Sequence, residues 1–150
     1  MPKKTTKKNI FDGYYKAISG KDTEKNIRTR PTQRTGQPEA GVQADCLRWL
    51  KRRRIHARRN NTGFGDLRGT GQQYQYGIRD AGDLICCIDG KYVEIECKHG
   101  NGGVWKVNQQ KHAEKVKRAG GFYFIVHSTQ ELAEAVEPLL TELTLFGGAG

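Results

Sequence analysis

Residues 82–98 read GDLICCIDGKYVEIECK, and the interpretation of the whole chain turns on them. Two apolar, alternating runs flank Asp89-Gly90. An Asp-Gly pair in that setting is a strong hairpin signal, because both residues tolerate positive φ. In the second arm Val93, Ile95 and Cys97 alternate with Tyr92, Glu94, Glu96 and Lys98. Side chains two apart share a strand face, so Glu96 and Lys98 project together. If Asp89 and Gly90 form the whole loop, Ile88 faces Lys91, Ile85 faces Glu94 and Asp83 falls opposite Glu96. Carboxylates facing each other across a ladder destabilise a sheet, and a cation between them would account for the placement. If the loop is Gly90-Lys91, Asp83 faces Lys98 in a plain salt bridge. Both registers keep the three groups on one face.

Just upstream, residues 60–82 are rich in Gly, Asn and Gln and lack helical periodicity. They are expected to form a long loop or an irregular hairpin over the site. Their glycines are not a phosphate-binding loop, since GxxxxGK[ST] is absent. Before them lies KRRRIHARRN, residues 51–60, in which 55–59 read as an edge strand. Arg52, Arg53, Arg54, Arg58 and Arg59, with Arg68 in the loop, are candidate contacts to backbone phosphates; the plainer alternative is a solvated face. Pro38 suits a first helical position, and Val42, Cys46, Trp49 and Leu50 follow at helical spacing. Glu39 falls on the same inward stripe. A buried carboxylate asks for a partner, which makes Glu39 a candidate site residue and not only a complement to the helix dipole.

Downstream, HGNGG (99–103) reads as a flexible connection and Trp105 as an anchor. Asn108 is a suitable N-cap for a helix from Gln109 to Ala119, which ends at Gly120-Gly121. FYFIVH, 122–127, reads as a buried strand. Ser128 to Glu131 has the form of a capping box and opens a helix with Leu132, Val136, Leu139, Leu140 and Leu143 on one face. Pro138 either breaks that helix or starts a short second one. The resulting order is helix, three strands, helix, strand, helix: an α/β layout with a mixed central sheet.

With 150 residues, one domain is expected. The 26 Lys and Arg against 16 Asp and Glu leave a net charge of +10, which favours a polyanionic partner, nucleic acid ahead of an anionic membrane surface. No apolar run approaches the roughly 20 residues of a membrane span, and MPKKTTKKN lacks the apolar core of a signal peptide. A soluble, intracellular (cytoplasmic) protein is the expectation. Cys46, Cys86, Cys87 and Cys97 include no Cys-x-x-Cys and read as buried, reduced thiols acting as small hydrophobes. His56, His99, His112 and His127 share no metal-site spacing and read as surface or satisfied core residues, with His99 held open as a substrate contact. Residues 1–35 carry ten Lys and Arg against three acids. They suit either a flexible or partner-docked basic arm that follows phosphates or a solubilising tail. Residues 36–146 are expected to form the domain and 147–150 a frayed C-terminus.

An inward Glu on a first helix, an Asp, Glu-x-Lys on the next strand of a hairpin, then a helix and a strand resemble the PD-(D/E)XK (restriction-endonuclease-like) core, a mixed central β-sheet flanked by helices. More closely, PEAGVQADCLRWL, RRNNTG, AGDLICCIDGKYVEIECKHGNGG and NQQKHAEKVKRAGGFYFIVHS resemble the VRR-NUC family. These stretches span about residues 38–128. The resemblance implies metal-binding acids at Glu39, Asp83 and Glu96, a catalytic lysine at Lys98, and a helix glutamine at Gln109 or, one residue on, Gln110. Two departures stand out. Gly82 occupies the place where the superfamily name expects Pro, and Lys106-Val107-Asn108 replaces a Ser-Pro type helix start.

The residue chemistry agrees with that implication. Phosphodiester hydrolysis uses hard oxygen ligands for Mg²⁺ or Mn²⁺. Asp83 and Glu96 would supply carboxylates, the backbone carbonyl of Cys97 a further ligand, and Glu39 a direct or water-mediated one. Lys98, its pKa depressed beside a dication, would orient or deprotonate the attacking water. Gln109 would position water, Lys98 or phosphate. The expected function is a divalent-metal-dependent DNA endonuclease, structure-specific on branched DNA such as a Holliday junction or flap. A homodimer would suit it, since two-fold symmetry delivers two nicks in opposite strands. Phage DNA processing, restriction and repair are all compatible processes. The alternatives are a nuclease with no structure preference and a non-catalytic basic DNA-binding protein.

Overall fold

The computed structural model describes residues 25–140. Expectations for 1–24, most of the basic arm, and for 141–150, including Leu143 and the frayed C-terminus, lie outside the described residues. At the centre, β5 (Leu84–Ile88) and β6 (Lys91–Cys97) form the hairpin, closed by Asp89 and Gly90. Both turn residues have positive φ, 48° and 78°. Ile88 pairs with Lys91 and Ile85 with Glu94, which is the two-residue-loop register.

Two further strands extend the hairpin into a four-stranded sheet ordered β2-β5-β6-β8. The edge strand β2 (His56–Arg59) is antiparallel to β5, whereas β8 (Phe122–Val126) is parallel to β6. The fold is therefore α/β with a mixed central sheet, flanked by helices.

Period-two alternation divides the sheet into two faces. Leu84, Cys86 and Ile88 of β5, Val93, Ile95 and Cys97 of β6, and Phe124 and Val126 of β8 are buried on one side. Covering that side are α1 (Glu39–Arg52), through Val42, Cys46 and Leu50, and α3 (Thr129–Val136), through Leu132 and Val136. Each fully buried Leu, Ile or Val contributes about 1.5–3 kcal/mol. After α3, Pro138 leads into a single 3₁₀ turn, Glu137–Leu139, so Pro138 ends the α-helix.

On the other face the apolar cluster is small: Trp105, Ala113, Tyr123 and Ile125. There α2 (Val107–Arg118) covers β8. The helix begins earlier than expected; Lys106, not Asn108, is its N-cap, and the Gln109 side chain accepts a hydrogen bond from the Lys106 N–H (3.1 Å). The α2 side of β6 is polar, carrying Glu94, Glu96 and, one residue past the strand, Lys98, all buried.

Two small sheets complete the structure. β3 (Gly63–Asp66) and β4 (Gln73–Tyr76) form a hairpin that pairs with no other strand. β1 (Ile27–Thr29) pairs antiparallel with β7 (Gly103–Trp105). Residues 25–35, read from the sequence as the end of a basic arm, thus pack on the domain. The 99–103 connection is also tied down. Thr35 N–H donates to the Gly100 carbonyl (3.2 Å) and Gly100 N–H to the Gln37 carbonyl (2.8 Å). Among the described residues no helix is long and apolar enough to cross a membrane.

Candidate active site

Asp83 lies one residue before the last β5–β6 pair, Leu84 with Ile95, so the register extended by one residue sets it against Glu96. Its Oδ2 accepts the Cys97 N–H at 2.8 Å, a bond the ladder alone would not make. Gly82 explains why no side chain precedes it: a Cβ there would lie 2.8–2.9 Å from the backbone of Ile95. The Gly82 N–H donates to Glu94 Oε2 (2.8 Å), which fixes the peptide entering Asp83.

Glu96 and Lys98, on the same face, are joined by a 2.6 Å ion pair between Oε1 and Nζ. From the first turn of α2, Gln109 Nε2 donates to the same Glu96 Oε1 (2.6 Å) and its Oε1 accepts from Lys98 Nζ (3.4 Å). Gln110 points elsewhere. It is buried, with Nε2 donating to the carbonyls of Lys25 and Trp105 (2.9 Å each). Of the two candidate glutamines, Gln109 is the one that reaches the cluster.

The acids are held under tension. Burial pushes the Glu96 carboxyl up to about 7, Asp83 adds to the rise, and Lys98 opposes it. Asp83 is also raised, by burial first; the Cys97 N–H pulls it down and the charge of Glu39 pushes it up. Two mutually repelling, partly dehydrated carboxylates with hard oxygen atoms form a donor set suited to a divalent cation. Among the described residues no three His, Cys, Asp or Glu side chains converge to hold a metal by themselves. Asp83 and Glu96 would form the protein's part of an incomplete shell, with the Cys97 carbonyl close by in sequence.

Glu39 differs from expectation. It opens α1 but is exposed, and the buried positions of the helix are Val42, Cys46 and Leu50. Its charge still acts on Asp83. Gln43, one turn further along α1, is close enough to lower the Asp83 carboxyl, an effect the sequence did not signal.

Asp83, Glu96, Gln109 and Lys106 line a cleft of about 280 Å³ together with Phe64 and Arg79, from β3 and the segment after β4. The 60–82 stretch is thus an irregular hairpin over the site. Asn60 fixes its base. The Asn60 N–H donates to the Asp83 carbonyl (2.8 Å), and its side-chain amide bonds both the carbonyl and the N–H of Ile78 (2.8 and 2.9 Å). Arg52, Arg53, Arg54, Arg58, Arg59 and Arg68 are all exposed; Arg53 lies 4.3 Å from the Trp49 ring centroid.

The remaining histidines and cysteines have structural surroundings. His112 pairs with Glu94 (2.9 Å), His127 is buried between Glu131 and Thr29, and His56 is exposed on β2. His99 Nδ1 accepts the Asn101 N–H (3.1 Å) within its own turn. All four cysteines are free thiols; Cys87 is exposed, whereas Cys46, Cys86 and Cys97 are buried. No protein-family model, curated protein or solved structure matches the chain.

Proposed function

We propose that this chain is a divalent-metal-dependent DNA endonuclease of the VRR-NUC type, built on a PD-(D/E)XK core. The observation that carries the reading is the convergence of Asp83, Glu96, Lys98 and Gln109 at the end of the β5–β6 hairpin. Asp83 and Glu96 would hold Mg²⁺ or Mn²⁺. When bound, such an ion polarises a phosphodiester and acidifies an attacking water. Lys98, pinned between Glu96 and Gln109, presents a buried cation to the developing negative charge. Gln109 fixes the Lys98 ammonium and the Glu96 carboxylate relative to each other. Phe64 and Arg79 line the same cleft, and an aromatic ring beside a cation suits a strand drawn away from a regular duplex. That favours branched DNA, and a homodimer would nick both strands of such a substrate.

The test is cleavage of a four-way junction, a flap and a plain duplex under Mg²⁺ or Mn²⁺, with and without EDTA. Wild type is expected to cut only without chelator and to prefer the branched forms. Asp83→Asn and Lys98→Ala are each expected to lower the rate by about 100-fold or more. Full cleavage by either variant would sink the assignment. The exposed run Arg52–Arg54 with Arg58 and Arg59 supports a second reading, a non-catalytic DNA-binding protein. On that reading, binding ignores both EDTA and Asp83→Asn, and no DNA is cut.

A further inference from the structure

The register of the β3–β4 hairpin sorts its side chains onto two faces. Phe64 stands opposite Gln75, whereas Tyr74 and Tyr76 stand opposite Gly65 and Gly63. Directly opposed residues share a face of the ladder, and their neighbours along each strand take the other. On the tyrosine face each ring fills the place where a side chain on the facing glycine would be. A Cβ on Gly65 would lie 2.6–2.7 Å from the Tyr74 phenol, and one on Gly63 would collide with Tyr76. Rings laid over bare backbone stiffen a hairpin whose residues belong to neither apolar cluster.

Phe64 is left on the other face, in the same cleft as Asp83, Glu96 and Gln109. Its ring is 64% exposed, the highest value among the exposed large hydrophobic residues. Beside it, Gln75 Oε1 accepts a hydrogen bond from Arg79 Nη2 (2.9 Å), and the Arg79 guanidinium lies 6.0 Å from the Phe64 ring centroid. The carboxylates of Asp80, Asp83 and Glu96 line the cavity too, so a strand's phosphates would need the positive charge of Arg79, Lys106 and a bound metal. An apolar ring held in so polar a cleft gains little from the folded chain around it. A nucleotide supplies what is missing: a flat π-face for the ring and a phosphate for the guanidinium.

Stacking on Phe64 requires a base with an open face. Inside a regular duplex both faces of every base are covered by neighbours, so the ring selects unpaired or terminal bases. Such a contact separates unpaired from paired DNA without reading sequence, because every base has a π-face.

We propose that Phe64 is a stacking platform for one unpaired DNA base, with Arg79 taking an adjoining phosphate. Phe64 is then a specificity-determining residue, and Gln75 a positioning residue that holds Arg79. That the stacked nucleotide adjoins the cleaved bond rests on the nuclease reading; that the ring binds an unpaired base does not.

The experiment measures fluorescence anisotropy in EDTA over a range of salt, with the full chain as wild type, Phe64→Ala, Phe64→Leu, Phe64→Trp and Arg79→Ala. The labelled DNAs are a plain duplex, a flap, and flaps in which one unpaired nucleotide at a time is abasic. Phe64→Ala and Phe64→Leu are each expected to bind the flap about tenfold more weakly, with a severalfold smaller loss on the duplex. Phe64→Trp, which keeps a π-face, is expected to stay near wild type. One abasic position is expected to weaken wild type about tenfold and leave Phe64→Ala unaffected. The salt slope is expected to hold in the Phe64 variants and to fall by about one in Arg79→Ala. Equal losses on flap and duplex, unchanged flap affinity, or a loss in Phe64→Trp as large as in Phe64→Leu would overturn the platform. So would a change of mass by light scattering in Phe64→Ala with flap affinity intact, which would make this face a contact between copies of the chain. Phe64→Leu, which keeps apolar volume, carries the test if Phe64→Ala lowers the melting temperature. If wild type cuts no DNA while Phe64→Ala still loses flap affinity, the nuclease reading fails and the platform stands. If wild type cuts and Phe64→Ala binds the flap as well, the reverse holds.

Discussion

Glu94 and Glu96 stand two residues apart on one strand face, and both are buried, yet their surroundings give them different work. Glu94 is fully engaged: it accepts from Tyr92 Oη (2.7 Å) and the Gly82 N–H, and it pairs with His112. It is a positioning residue for the peptide that leads into Asp83. Glu94→Ala strands those partners in a buried place and is expected to destabilise the fold by about 3 kcal/mol, measured by urea unfolding at neutral pH. A loss well under about 1 kcal/mol would mean that water replaces the carboxylate easily. Asp83, Glu96 and Lys98 were legible in the sequence because a short Asp-Gly turn fixes register, and register fixes which side chains share a face. Glu94 carried the same alternation but no motif. Asn60 was not legible, since it meets Asp83 across 23 residues of chain. Glu39 was misread as buried because helical periodicity says which way a side chain leans, not whether anything covers it there.

At the scale of elements, β1 is held by the Thr29–His127–Glu131 chain, which makes its attachment sensitive to acid. Burial works to raise the Glu131 carboxyl, but hydrogen bonds from His127 and from the Thr32 N–H outweigh it and leave it below its usual 4.5. A carboxyl depressed in the folded state stabilises the fold above its unfolded pKa, and that contribution disappears as pH falls through the folded value. The melting temperature is therefore expected to decline from about pH 5 downward. Glu131→Gln should melt lower at neutral pH and converge on wild type as the pH falls through the depressed folded-state value. Parallel curves across that range would assign the acid sensitivity elsewhere. Asn60→Ala, which removes both side-chain bonds to Ile78, is expected to slow DNA cleavage severalfold with little change in melting temperature, because the β3–β4 hairpin adds nothing to the buried core. A large fall in melting temperature would refute that separation. The long periodic elements, α1, β5, β6, β8 and α3, were readable from apolar spacing. β1 and β7 were not, and β3 and β4 only as one of two readings of 60–82. They are three- or four-residue strands, two of them containing glycine, too short for a period to be read.

Over the whole molecule, exposed arginines among the described residues lie on two sides of the candidate active site. Arg58 and Arg59 on the edge strand lie on the hairpin side, and Arg28, Arg30 and Arg34 lie across Lys98. A polyanion engaging both flanks would make several phosphate contacts. DNA affinity is then expected to fall by about 10³-fold between roughly 50 and 200 mM salt, as measured by anisotropy. A change of less than about tenfold would mean that the charge is a solubility device and not a binding surface.

The β3–β4 hairpin has one more property. Phe64, Leu67, Tyr74, Tyr76 and Ile78 in and around it are exposed, and its tip bears Gly69 and Gly71 with open space beyond them. Its seam with the rest of the fold runs through one asparagine at the base. The tip can therefore be lengthened, shortened or exchanged while the chemistry beneath stays in register. Selection could retarget the protein to new substrates there by editing a few codons, and a protein engineer could graft there first.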